Sequence, residues 1–106
     1  MIPGTILNAI TVDVEEHFQV SAFEDVVARD RWSEMASRVE ANTDRLLDLL
    51  ARHEVTATFF VLGWTAARHP DLVRRIAAAG HEIGCHSFSH PVVFELSPEG
   101  FAADLD

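Results

Sequence analysis

Val55-Thr56-Ala57-Thr58-Phe59-Phe60-Val61-Leu62 is an unbroken apolar, β-branched run that stops at Gly63. Its length suits a strand, and its lack of alternation predicts one buried on both faces, as in a parallel sheet. Upstream, Ile6 to Glu15 begins apolar and ends in alternation: Ile10, Val12 and Val14 share one parity, Thr11, Asp13 and Glu15 the other. That period of two predicts a first strand. Downstream, His81 to Cys85 reads as a third, short strand. Between the first two, Ser37-Arg38-Val39-Glu40 has capping-box spacing, the hydroxyl and carboxylate answering free helix N–H groups. The helix it opens carries Val39, Thr43, Leu46, Leu47 and Leu50 on one stripe, with Arg45, Asp48 and Arg52 outside. His53 closes it, where positive charge suits the macrodipole. A second helix starts at Pro70, buries Leu72, Val73, Ile76 and Ala77, and stops at a left-handed Gly80. Residues 16–36 are irregular, with a short helix near Phe23–Arg29 and a loop around Trp32. From Pro91 the chain is loop until Ser97-Pro98-Glu99 begins a last helix.

Strand and helix therefore alternate three times, which argues for an α/β fold with parallel strands and helices outside. The 106 residues form one continuous segment, 1–106, without repeat, linker or low-complexity tract. Three such strands are few for a freestanding unit, since a closed barrel of this kind takes about 200 or more residues. The expectation is the N-terminal part of a larger domain. A hydrophobic content of 48% with 24% charged residues is globular rather than disordered. Net charge is −9, with eight dispersed Arg and no Lys, which argues against a nucleic-acid partner. No run approaches the roughly 18 apolar residues of a transmembrane helix. Met1-Ile2-Pro3-Gly4-Thr5 lacks the basic and apolar regions of a signal peptide. A cytoplasmic location is expected, with association to a membrane-bound synthesis complex left open. One Cys forms no internal disulfide.

Two clusters carry chemistry, both at the C-terminal ends of expected strands, where α/β folds place ligands. In Thr11-Val12-Asp13-Val14-Glu15-Glu16-His17, Asp13 and Glu15 share a face, and Glu16 points the other way unless the strand bends. Such a pair can divide into a metal ligand and a base; a solvated acidic strand end is the bland alternative. In His86-Ser87-Phe88-Ser89-His90, imidazoles at i and i+4 converge if the segment turns helically. That spacing is common by chance, and the acidic pair gives it weight. Two His and one carboxylate, with a position open for water, make a catalytic zinc site.

Other readings are weaker. His81-Glu82-Ile83-Gly84-Cys85 resembles the zinc-protease pattern, but Cys85 stands where the second His belongs and Gly84 weakens the required helix. Cys85 and His86, as strand neighbours, face apart and make no nucleophile–base pair; Cys85 is expected as a small buried thiol. His53 and His69 sit at helix boundaries, and His17 in a loop past the acidic strand end. Trp32, Trp64 and Phe88 can stack on a sugar, though packing is the default for each Trp, and Phe88 is placed to pack between the two His.

Thr11–Phe18 (TVDVEEHF), Ala57–Gly63 (ATFFVLG) and Gly80–His90 (GHEIGCHSFSH) together resemble the polysaccharide deacetylase family, the NodB-homology domain, and most nearly its branch linked to exopolysaccharide production alongside exosortase systems. The likeness runs from about Ile10 to Leu105. It implies the N-terminal portion of a distorted (β/α) barrel and a metal-dependent hydrolase that removes N-acetyl groups from amino sugars of a polysaccharide. By the same resemblance Asp13 corresponds to the catalytic base, and His86 and His90 to metal-binding His. The family's usual third ligand is the second Asp of a D-D pair; Val14 stands there, and the role passes to Glu15, which strand parity favours over Glu16. The implied cofactor is a divalent metal, zinc foremost, with Co, Ni or Mn also accepted by such donors. The implied partner is an N-acetylated polysaccharide; the oligomeric state is left open. The family's later Arg-Pro segment and general-acid His have no counterpart before Asp106, so a domain about twice as long is expected. Two alternatives stand beside this: an allantoinase-like hydrolase of small amides, and a non-catalytic fragment.

Overall fold

A computed structural model describes residues 4–106. Three parallel strands, β1 (Thr11–Val14), β2 (Thr58–Val61) and β3 (Glu82–Cys85), form one sheet in the order β1-β2-β3. Thr11, Thr58 and Glu82 share the first register row; Val14, Val61 and Cys85 share the last. Helix α1 (Val39–Arg52) connects β1 to β2, and α2 (Gly63–Arg68) and α3 (Pro70–Ala78) connect β2 to β3. Helix α4 (Pro98–Leu105) follows, its first turn capped by Ser97, which accepts from the Gly100 N–H. Gly80 ends α3 with a φ of 91°, the left-handed stop expected of it.

The main core comprises Val14, Phe59, Val61 and Ala57 from the sheet side, with Val39, Leu50, Leu72 and Ile76 from α1 and α3. A second cluster joins Phe18, Trp32 and Leu62 with the partly buried Val27 and Trp64. Several expectations need correction. β1 does not reach back to Ile6, because β2 offers register partners only from Thr58 onward. β2 is buried on one face: Phe59 and Val61 are covered and Thr58 and Phe60 only half so, because its main core lies on one side of the sheet. Among the described residues Cys85 is exposed rather than a core thiol, because no strand is paired to the far side of β3 there. Residues 23–29 are not a helix; the chain makes 3₁₀ turns at Ser21–Phe23 and at Arg29–Glu34, and the latter carries the buried Trp32. Helix α2 was not anticipated; it begins at Gly63, with only Leu62, its N-cap, between it and the end of β2.

The start of α1 also differs. Its N-cap is Arg38, with no side-chain cap, so Ser37 and Glu40 do not form the expected box. The carboxylate of Glu16 does this work from far away in sequence. Its Oε1 accepts from the N–H groups of Arg38 at 2.9 Å and Val39 at 3.0 Å, and its Oε2 from the Ser37 hydroxyl. Glu16 is only 2% exposed. A buried carboxylate at a helix N-terminus, saturated by donors, both stabilises the helix and avoids an unpaired charge. Glu16→Ala strands two N–H groups and is expected to lower the unfolding free energy by about 2–4 kcal/mol, and Glu16→Gln by about half as much. Denaturant unfolding of the full-length protein measures both.

Candidate metal centre

The register places the site. One row beyond Val14–Val61–Cys85 stand Glu15, Leu62 and His86, and the ladder runs on into that row: Leu62 N–H donates to Val14 O and His86 N–H to Val61 O. Glu15 and His86 thus leave the same end of the sheet on strands separated by one other, about 10 Å apart in backbone. Their side chains close that gap. Glu15 Oε2 lies 3.2 Å from His86 Nε2 and 3.6 Å from His90 Nε2. Asp13, on the same strand face as Glu15, brings Oδ2 to 3.7 Å from His86 Nε2. Its side chain is 56% exposed against 11% for Glu15 and 25% for each imidazole, so solvent reaches the cluster beside Asp13. Glu16, of opposite parity, turns to α1 and takes no part.

Glu15, His86 and His90 each offer one ligand atom, all within 4.8 Å of one another. Ligands about 2.0–2.2 Å from a common tetrahedral ion stand about 3.3–3.6 Å apart, close to the separations of Glu15 Oε2 from the two imidazoles. Glu15 Oε2 and His86 Nε2 are moreover buried without a hydrogen-bond partner. Two lone-pair atoms facing each other away from water are unfavourable unless a cation or proton sits between them. The donor set therefore fits a divalent metal.

His90 arrives by a route the sequence did not suggest. The segment after β3 does not turn helically; Ser87 and His90 adopt φ values of 60° and 61°, the left-handed region. Non-glycine residues there cost roughly 1–2 kcal/mol each and persist only where surroundings hold them. The surroundings do hold them. Gly63 N–H donates to Ser87 O and Trp64 N–H to Phe88 O, from the first turn of α2. Phe88 N–H donates to the Asp104 carboxylate of α4, and His90 N–H to Ser87 Oγ. Arg29 donates from Nε to Ser89 O and from Nη2 to His90 O. A Cβ on Gly63 would stand 2.6 Å from the Phe88 ring and 3.0 Å from its Cα, so the turn sits directly on a glycine. Arg29 and Asp104 carry no sequence signal for this role, since each acts on a backbone distant in sequence.

The remaining candidates are structural. His81 is buried, accepts the Ala57 N–H at Nδ1 and packs on Phe59, which removes it from any zinc-protease pattern. His53 is the C-cap of α1, and His69 stands between α2 and α3 beside Glu40. His17 meets Phe18 and Phe23 edge-on. Trp32 is buried against Trp64 and is closed to a sugar; Phe88 is half exposed beside the site. No helix among the described residues is long and apolar enough to cross a membrane.

Comparison with known proteins gives a consistent result. The family model for polysaccharide deacetylase matches residues 13–106. The chain is similar to a chitooligosaccharide deacetylase of Rhizobium leguminosarum bv. trifolii, 57% identical over 63 residues covering 59% of this chain and 29% of that protein. It is similar to a peptidoglycan-N-acetylglucosamine deacetylase of Bacillus cereus, 44% identical over 59 residues covering 56% and 22%. The structure of the peptidoglycan deacetylase PdaC from Bacillus subtilis matches with a TM-score of 0.69 at 27% identity, over 98% of this chain and 41% of that one. The chain thus spans less than half of the relatives it matches, and the three-stranded parallel sheet corresponds to part of their fold.

Proposed function

Given that this chain belongs to the polysaccharide deacetylase family, we propose that it supplies the metal centre and the base of a hydrolase that removes N-acetyl groups from amino sugars of a polysaccharide. The observation that carries this reading is the meeting of Glu15 Oε2, His86 Nε2 and His90 Nε2, with two of the three atoms buried and unpartnered. These three residues would hold the cation, zinc by their chemistry. When bound, it supplies a Lewis acid that polarises an amide carbonyl and acidifies a water. Asp13 stands beside the three, open to solvent, where its Oδ2 accepts the proton of a water attacking the acetyl carbon. The similar proteins named for chitooligosaccharide and peptidoglycan deacetylation support an N-acetylglucosamine polymer as substrate.

The test uses the full-length protein encoded by the frame that contains these residues. Acetate release from N-acetylglucosamine oligomers is expected to stop with a chelator and to return with zinc or cobalt, while allantoin is left intact. Chelator-insensitive release would overturn the metal reading. Hydrolysis of allantoin with untouched glycan would transfer the site to small amides.

A further inference from the structure

We propose that Arg29 is a positioning residue for the metal centre: its guanidinium clamps the two carbonyls that end the His86–His90 turn and so fixes where His90 Nε2 points. The inference rests on the metal reading of Glu15, His86 and His90. Arg29 opens the 3₁₀ segment Arg29–Glu34, in the irregular stretch between β1 and α1. Its Nε donates to Ser89 O at 3.0 Å and its Nη2 to His90 O at 3.1 Å. Nη2 also meets Glu24 Oε1 at 3.1 Å, which braces the group from behind, and the guanidinium lies 5.7 Å from the Trp32 ring centre.

The two ligand imidazoles are not equally secured. His86 continues the sheet, its N–H on Val61 O, so β2 sets its position. His90 lies past two residues of left-handed backbone and outside the sheet. Ser87 and Phe88 are fixed by α2 and Asp104, but among the described residues the carbonyls of Ser89 and His90 are held by Arg29 alone. A planar fork with fixed N–H directions suits two successive carbonyls; an ammonium does not offer that geometry. Residues that orient metal ligands commonly affect affinity about 10–100-fold, and Arg29 stands in that relation to His90.

The experiment compares wild type, Arg29→Met, Arg29→Lys and His86→Ala in the full-length protein. Met keeps an unbranched apolar stem of similar length and removes every donor. Zinc affinity is read by chelator competition and the ligand field by cobalt absorption, with thermal midpoints taken in excess chelator. Arg29→Met is expected to bind zinc at least about tenfold more weakly with an altered cobalt spectrum, Arg29→Lys to fall between it and wild type, and the metal-free midpoint to stay within a few degrees. Zinc binding within about twofold of wild type in Arg29→Met, with His86→Ala depleted, overturns the clamp and leaves the metal centre standing. A midpoint that collapses equally in Met and Lys variants also overturns it, since Arg29 would then hold the fold. Wild type without metal removes the centre itself, and the clamp with it.

Discussion

On the proposed function, His86→Ala is expected to leave the full-length protein with less than about a tenth of the wild-type divalent metal and less than about a tenth of the wild-type acetate release. His86 provides the atom common to both sides of the site: its Nε2 faces Glu15 at 3.2 Å and Asp13 at 3.7 Å. Truncation removes one nitrogen donor and leaves Glu15 Oε2 facing a void. The fold should tolerate this, because His86 is only partly buried and holds its place through its backbone N–H on Val61. Metal analysis of purified wild type and variant, beside acetate release, decides the matter. Unchanged metal content in the variant would sink the ligand assignment.

Asp13→Asn has the opposite signature. The carboxamide keeps the shape and removes the proton acceptor, so turnover should fall by about 10²–10⁴-fold while bound metal stays near one equivalent. The geometry motivates the split: Asp13 stands outside the trio that shares 4.8 Å, and its side chain is the most exposed of the four. If Asp13→Asn loses metal as fully as His86→Ala, Asp13 is a ligand and the base lies elsewhere. Full activity with asparagine present would remove the base assignment outright.

Asp13 and Glu15 were legible together because strand parity is strict: a period of two puts them on one face and sends Val14 and Glu16 to the other. The same rule separated Glu15 from Glu16, and the structure gives Glu16 a wholly different task at the start of α1. Ser37 shows the limit of local pattern. Its spacing to Glu40 fits a capping box, yet a carboxylate more than twenty residues upstream reaches the orphan N–H groups first. Cys85 shows another: cysteine is among the residues most often buried, yet among the described residues nothing covers this thiol.

By itself the sequence determined the alternation of strands and helices, the parallel sheet, the shared face of Asp13 and Glu15, and the family motif that names His86 and His90. Each follows from short-range periodicity or from residues close in the chain. Only the tertiary structure decided that β1 and β3 flank β2 in a register that sets Glu15 and His86 in one row. It alone decided that His90 returns to them through left-handed backbone at Ser87 and His90, rather than a helical turn. That path costs energy locally and exists because Gly63, Trp64, Arg29 and Asp104 supply its hydrogen bonds from three separate elements. Local propensity disfavours such a conformation, so the packed surroundings must supply what holds it.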